Sequence, residues 1–285
     1  MEIAAVFGVY HCAAVWYNRT DSADREYDIE TEPIVPAADK GQVSAVDQGF
    51  YIRVMTYNIR HGRGLDGKIN LNRIAEDIIR SGAEIVALQE VDRFNIRSGF
   101  QDQVRVLAEK TGMNWSFATS LRWGFAQYGN ATLSKYPILS KTVYTLPGIK
   151  ETRTLLKTVI QYGDIPLTVL NTHLGVGLEE RKEQIPVLAE LLNETEGPAI
   201  LMGDFNMESD HFLLKRLLDQ WEKVKLNVKS PTVLSGLEID HIYVNRPALL
   251  QNAWTMISDA SDHNPVVAEW QWAFGSRMVM AASDC

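Results

Sequence analysis

Cysteine is nearly absent. The 285-residue chain has two, Cys12 and Cys285, close to opposite ends. Two such thiols build neither a disulfide framework nor a thiolate metal cluster. No bridge between them is expected, because both fall in peripheral segments. Basic runs are also missing: 28 Lys and Arg stand against 36 Asp and Glu, for a net charge of −8. Non-specific nucleic-acid binding rests on Lys and Arg neutralising phosphates, so long nucleic acid is a disfavoured ligand, although the total still allows a local basic groove. An acidic balance suits a site that gathers cations. The mostly apolar segment 3–17 is interrupted by His11 and is shorter than the roughly 20 residues of a membrane span. No Lys or Arg precedes it, so the basic flank of a secretory signal is lacking. A weak membrane anchor and an extra element lying on the domain are the two readings of it. Localisation is accordingly open between cytoplasm and envelope. No internal repeat or low-complexity block occurs. With 46% hydrophobic and 22% charged residues, the composition is that of an ordinary globular protein.

The chain divides into three parts: an apolar segment and acidic arm over 1–48, a domain over 49–272, and a tail over 273–285. Within the domain, 50–58 is rich in β-branched and aromatic residues and reads as a strand. Asn70 caps a helix whose Leu71, Ile74, Ala75, Ile78 and Ile79 share a face, and Gly82 stops it. The apolar run 84–88 follows as a strand ending in Gln89 and Glu90. A helix over 101–110 and strands at 115–118, 129–134 and 143–146 come next. Strands 153–161 and 167–171, joined by Tyr162-Gly-Asp164, predict an antiparallel hairpin. Then come a helix over 179–192 containing Pro186, a strand over 199–202, a helix over 211–218, and strands over 238–244 and 265–270. Strand and helix alternate as in a layered α/β fold.

Several of these strands end, or are entered, at polar groups that a simple core would not choose. They are Asn58; Glu90; Asn171 with His173; Asp204 with Asn206; Asp240 with His241; and Asp262 with His263. Each alone has a bland reading as a cap, a turn or a solvated loop residue. Together they are a recurring pattern of apolar runs stopped by a carboxylate, amide or imidazole, and sheets gather such ends into one cleft. Asn58, Glu90 and Asp262 offer hard oxygen ligands for Mg²⁺ or Mn²⁺. His173 and His263 can donate to phosphate oxygens, and Asp204 can deprotonate or orient a water. Asp240 can fix the tautomer of His263. Metal, base and donors together suit in-line attack of water on a phosphoester.

Met55-Thr-Tyr-Asn58, Leu88-Gln-Glu90, Gly129-Asn-Ala-Thr-Leu-Ser134 with Tyr136-Pro137, Asn171-Thr-His173, Gly203-Asp-Phe-Asn206, Ile239-Asp-His241 and Ser261-Asp-His263 resemble, in order, the motifs of the endonuclease/exonuclease/phosphatase superfamily. The resemblance covers about residues 50–272. It implies a four-layer α/β/β/α sandwich of two mixed, mainly antiparallel sheets, and a divalent-metal-dependent phosphoesterase. It makes Glu90 the principal metal ligand, with Asn58 and Asp262 supporting. Asp204 matches the residue that acts on the attacking water, and Asn206 a phosphate-orienting amide. His263 matches the transition-state or general-base histidine, and Asp240 its carboxylate. His173 matches the histidine of the deoxyribonuclease-like and sphingomyelinase-like branches, where apurinic endonucleases usually carry Tyr. Arg153 sits where many bacterial members have an Arg; a substrate contact and a plain strand Arg are both open readings. His61 is a candidate substrate contact, whereas His211 and His241 read as structural or surface residues. Trp115 and the Trp123-Gly-Phe125 loop read either as an apolar rim or as core.

Substrate identity is not legible at this level. The acidic balance favours a small-molecule or lipid phosphodiester, with nuclease action the alternative and no obligate protein partner expected of a monomer. A dinuclear metallophosphoesterase would need a Gly-Asn-His-Asp/Glu element, which the chain lacks. An inactive binding protein on the same fold would have lost a centre residue, and every expected position is filled.

Overall fold

A computed structural model of the chain describes residues 50–148, 151–217, 221–246 and 249–272. The arm expected at 1–48 and the tail expected at 273–285 lie outside the described residues. The strands are β1 (Phe50–Asn58), β2 (Ile85–Arg93), β3 (Asn114–Trp123), β4 (Ala126–Ser134), β5 (Ile138–Leu146), β6 (Arg153–Tyr162), β7 (Ile165–His173), β8 (Ala199–Asp204), β9 (Glu222–Lys223), β10 (Asp240–Val244), β11 (Leu249–Thr255) and β12 (Val266–Trp272). The helices are α1 (Leu71–Ser81), α2 (Gln103–Thr111), α3 (Leu178–Asn193) and α4 (Phe212–Leu217). No helix among the described residues is long and apolar enough to cross a membrane.

Two six-stranded sheets form, ordered β11-β12-β1-β2-β4-β3 and β5-β6-β7-β8-β10-β9. They pack face to face with helices on the outside, giving the four layers α/β/β/α. Each sheet has one parallel pair, β1 with β2 and β7 with β8. A helix makes each crossover, as parallel pairs require. Strands covered on both faces read as continuous apolar runs rather than as alternation. Their period of two still decides which layer each side chain joins. Ile52, Val54, Ile85, Ala87, Val169, Ile200 and Met202 fill the space between the sheets. Their neighbours Met55, Tyr57, Val86 and Leu88 face α1 and α2, while Leu170 and Leu201 face α3 and α4.

The inter-sheet layer changes character along the strands. On β1 the inward positions run Ile52, Val54, Thr56, Asn58; on β7 they run Leu167, Val169, Asn171, His173; on β8 they run Ile200, Met202, Asp204. Apolar packing therefore gives way to a buried polar layer. There Gln89 Nε2 donates to Asn171 Oδ1 at 2.8 Å, and Asn171 Nδ2 donates to Leu88 O at 3.0 Å and Ala131 O at 2.8 Å. Beyond it the layer opens at Asn58, His173 and Asp204.

The expected helix over 70–81 forms as read, with the Asn70 side chain accepting from Asn72 N and Gly82 as a left-handed C-cap. Ile79 departs from its assigned face: it is exposed, because the stripe that packs on the sheet is carried by Leu71, Ile74, Ala75 and Ile78. β2 does not stop at Glu90. It continues to Arg93 through a bulge between Leu88 and Val91, and Glu90 sits in that bulge at φ +59°. β9 and β11 have no counterpart in the sequence reading. Gly203 is dictated by a close approach: a Cβ there would lie 2.0 Å from Thr172 O of the neighbouring strand.

Candidate active site

Six of the expected residues meet at the open end of the inter-sheet layer. Asn58, last in β1, is the bridge. Its Nδ2 donates to Glu90 Oε1 and to Asp204 Oδ2, both at 3.0 Å, so it joins one sheet's carboxylate to the other's. Its Oδ1 accepts from Arg60 N at 3.0 Å. Glu90 reaches this point because its bulge re-aims the side chain. Burial raises its pKa, and the Asn58 amide only partly offsets this.

Asp204 lies directly beside His173 in the parallel pairing and opposite Asp240 in the antiparallel one. Two buried carboxylates in register repel. Burial and Asp240 together push Asp204 up to about 7. His263 relieves the clash. Its Nδ1 lies 2.9 Å from Asp240 Oδ2 and its Nε2 lies 3.7 Å from Asp204 Oδ2. Burial works against the charged ring, but Asp240, with Asp204 and Asp262 beyond it, raises His263 to about 10. His263 is thus a cation at neutral pH.

His173 is held in the opposite state. Arg153 Nη1 lies 3.1 Å from its Nδ1, and a guanidinium can only donate. Nδ1 therefore accepts, and the ring proton sits on Nε2, which faces Asp204 Oδ2 at 3.4 Å. Burial, then the charges of Arg153 and His263, keep its pKa well below the usual imidazole value. Two histidines, one neutral and one cationic, turn N–H groups toward the same carboxylate oxygen.

The remaining candidates are placed as follows. Asn206, at φ +51°, donates its backbone N–H to Asp204 Oδ1 at 2.9 Å and its side-chain amide to Leu174 O at 2.9 Å. It shapes the turn that aims Asp204. Arg153 is buried behind His173 and pairs with Glu151 at 3.0 Å. Asp262 pairs with Arg60 at 3.1 Å. His61 is part-buried with Nδ1 enclosed and unpartnered; burial and Arg97 lower its pKa to about 4. His241 Nε2 donates to Met207 O at 2.9 Å, and the ring lies under Phe205 and Tyr243, as its structural reading expects. Asn171 is a bolt between the sheets rather than a cleft residue. Sequence reasoning missed Thr232, whose buried Oγ1 accepts from Ile239 N and Asp240 N and so fixes the start of β10. It also missed Tyr128 and Arg97, which stack 5.2 Å apart beside Glu90. Neither lies in a motif, and both reach the site only through strand pairing.

The residues fit a divalent cation. Glu90, Asp204 and Asp240 are three buried or nearly buried carboxyl groups with one histidinium among them. Asp240 Oδ1 is buried without a partner. Ligand-type atoms of Asp204, Asp240 and His263 lie within 4.8 Å of one another, while Glu90 is tied to this group through Asn58. Unbalanced buried negative charge is costly, and a bound cation offsets it.

A four-layer sandwich of this kind, with its polar cluster at the open end of the inter-sheet layer, is a hydrolase fold. The chain belongs to the endonuclease/exonuclease/phosphatase family, whose model matches residues 55–263. Members of the family are phosphoester hydrolases and are generally divalent-metal dependent. The chain is 37% identical over 112 residues to a UPF0294 protein of Vibrio campbellii, a match that covers 36% of this chain and 39% of that protein. The match therefore spans about two-fifths of that relative's length. It is 25% identical over 256 residues to the YbhP protein of Escherichia coli, covering 78% of this chain and 97% of that one. The structure is similar to an endonuclease/exonuclease/phosphatase from Beutenbergia cavernae, with TM-score 0.68, 21% identity, and coverage of 78% of this chain and 72% of that one.

Proposed function

We propose that this chain is a Mg²⁺- or Mn²⁺-dependent phosphodiesterase that acts as a monomer on a small-molecule or lipid phosphodiester. The observation that carries the reading is the Asn58 bridge between Glu90 and Asp204, with Asp204 facing histidines of opposite charge. Glu90, supported by Asn58 and Asp262, would hold the ion, which when bound supplies neutralising charge at the phosphate. Asp204, with a pKa of about 7, suits a base working near neutrality. It orients water and takes its proton as the new bond to phosphorus forms and the bond to the leaving oxygen breaks. The His263 cation and the His173 Nε2–H donate to phosphate oxygens whose charge grows in the transition state. Among the two roles the family allows His263, its raised pKa supports the donor over the base.

Turnover of a chromogenic phosphodiester with metal, with chelator, and in Asp204→Ala and His263→Ala tests the reading. Loss in all three arms is expected. Metal-independent turnover, or full activity in both variants, sinks it. A panel adding a DNA duplex separates the nuclease alternative.

A further inference from the structure

One exposed surface beside the cleft has no role in the chemistry above. The loop 94–100 leaves the end of β2, and the β3–β4 turn stands next to it, since Arg93 pairs with Gln127. Between them they expose Ile96 (76%), Phe125 (69%), Trp123 (56%), Phe100 (52%) and Phe94 (39%). Phe100 and Phe125 touch across the gap, with ring centroids 6.2 Å apart. These side chains stand on adjacent loop tips, whereas a peptide-binding site would be a groove.

Backbone strain ties the patch to the working edge of the molecule. Among the described residues, the non-glycine positions with positive φ are Arg60, His61, Glu90, Phe94, Phe100 and Asn206. Four are in or next to the candidate active site; the other two, Phe94 and Phe100, belong to this patch. A bulky residue in the left-handed region is a true outlier, and such strain gathers at functional positions.

The local charge reverses the sign of the whole chain. Arg93, Arg97 and Arg122 lie among the aromatic residues. The nearby carboxylates are turned inward: Asp92 holds Arg97 at 2.8 Å and Asp102 holds Arg93 at 2.8 Å, with both carboxyl groups largely buried. Arg97 keeps much of its side chain in solvent, and Arg122 is exposed. Protruding Trp, Phe and Ile next to outward arginines, on a chain of net charge −8, match the layered chemistry of an anionic bilayer surface: apolar below, negative at the headgroups.

We propose that Phe94, Ile96, Phe100, Trp123 and Phe125 insert into the surface of an anionic phospholipid bilayer, so that the cleft receives its phosphoester from the membrane plane. The proposal rests on the phosphodiesterase reading for the chemistry, but the docking is measured separately. The same Arg97 that flanks the patch stacks on Tyr128 beside Glu90, so docking brings the cleft mouth to headgroup level.

The full chain is tested for partition onto phosphatidylcholine vesicles with and without phosphatidylglycerol. Preferential binding to the anionic vesicles is expected. Ile96→Ser, Trp123→Ser and Phe125→Ser should each weaken it about tenfold, in line with the transfer energy of one large apolar side chain, and leave turnover of a soluble chromogenic diester unchanged. The difference in fluorescence between the parent and Trp123→Phe should shift to the blue on vesicle addition. Equal vesicle binding by parent and variants, or no Trp123 shift, overturns the proposal, as does a Trp123 response to a single-stranded oligonucleotide but not to vesicles. Asp204→Asn should bind vesicles like the parent. Vesicle binding without diester turnover in the parent would count against the phosphodiesterase reading and not against the docking surface.

Discussion

Replacing Asn171 by Leu separates a structural role from a catalytic one within the Asn171-Thr-His173 motif. Asn171 has no solvent exposure and spends its amide on Leu88 O and Ala131 O, the carbonyls that flank the β2–β4 bulge, while its Oδ1 accepts from Gln89. Leu fills similar space but removes both of these hydrogen bonds, while the carbonyls remain on the paired residues Leu88 and Ala131 of the β2–β4 ladder. At about 0.5–1.5 kcal/mol for each lost hydrogen bond, the loss is about 1–3 kcal/mol. Gln89 suffers less, because its Nε2 keeps Thr56 Oγ1 at 3.1 Å and Ala87 O at 3.2 Å. Gln89→Met instead orphans Asn171 Oδ1, for about 1–3 kcal/mol. In the double variant that oxygen no longer exists, so the combined loss should fall short of the sum by about 1–2 kcal/mol. Urea unfolding of the four proteins reads these values directly. For a domain of this size the Asn171→Leu loss corresponds to a Tm drop of about 5 °C. Well below that temperature, turnover per folded molecule should survive far better than in His173→Ala. A loss under about 1 kcal/mol, strict additivity, or inactivity of the fully folded Asn171→Leu protein would each refute the assignment.

Arg153→Met removes the donor that keeps His173 Nδ1 an acceptor. It should lower kcat about 10- to 100-fold with little change in KM, Arg153→Lys should recover part of it, and imidazole nitrogen shifts should show mixed tautomers at His173. His61 and His173 both have folded pKa values below the ordinary 6.5, His61 at about 4. The unfolded chain takes up these protons first, so their stability contribution is complete above about pH 6.5 and is lost as pH falls through the folded values. Urea midpoints at pH 7.5 and at pH 5 should therefore differ less in His61→Asn than in the parent, and an unchanged difference would remove His61 from this account. Mg²⁺ or Mn²⁺ at about 100 times its dissociation constant should stabilise the native protein by about 2.7 kcal/mol; chelator should reverse the thermal shift, and Glu90→Gln should abolish it. Gly203→Ala should fail to give soluble folded protein, since its Cβ meets Thr172 O at 2.0 Å, and normal expression would show that β7 can move aside.

Asn58, Glu90, His173, Asp204, Asp240 and His263 were legible in the sequence for one reason. Each stands at the end or at the entry of an apolar run whose core face it would otherwise join. The same rule over-reads Asn171, which also interrupts an apolar run but does so one step too early along β7, where the sheets still face each other. Nothing local distinguishes the two positions; their depth in the inter-sheet layer does. Glu90 shows the opposite limit. It follows Leu88 as a strand end would, yet the strand continues, and only the partner strand's register reveals a bulge. Thr232, Arg97 and Tyr128 lie in no motif, and their place at the site depends on pairings between segments distant in sequence. The order of the motifs carries family membership, and with it the four layers, but not the wiring among the residues delivered.

That wiring follows from a near-repetition in the topology. β1-α1-β2 and β7-α3-β8 are parallel units, one in each sheet, and each sends polar residues toward the same end of the molecule. β1 and β2 supply Asn58 and Glu90; β7 and β8 supply His173 and Asp204. Neither unit makes a site alone. The first offers an amide and a carboxylate suited to a cation, and the second a carboxylate and an imidazole suited to water and phosphate. The two halves meet where the dry layer between the sheets ends, and Asn58 joins them with one amide group donating in both directions. The geometry of the candidate site therefore depends on exact sheet packing. A shift of one sheet over the other by the length of a hydrogen bond would part Glu90 from Asp204 without disturbing either motif. The buried Gln89–Asn171 contact, one layer below, is one of several inter-sheet hydrogen bonds that resist that shift, with Ser116–Thr158 and Asn130–Thr154 beside it, which is why a residue with no access to substrate belongs in the account of the site.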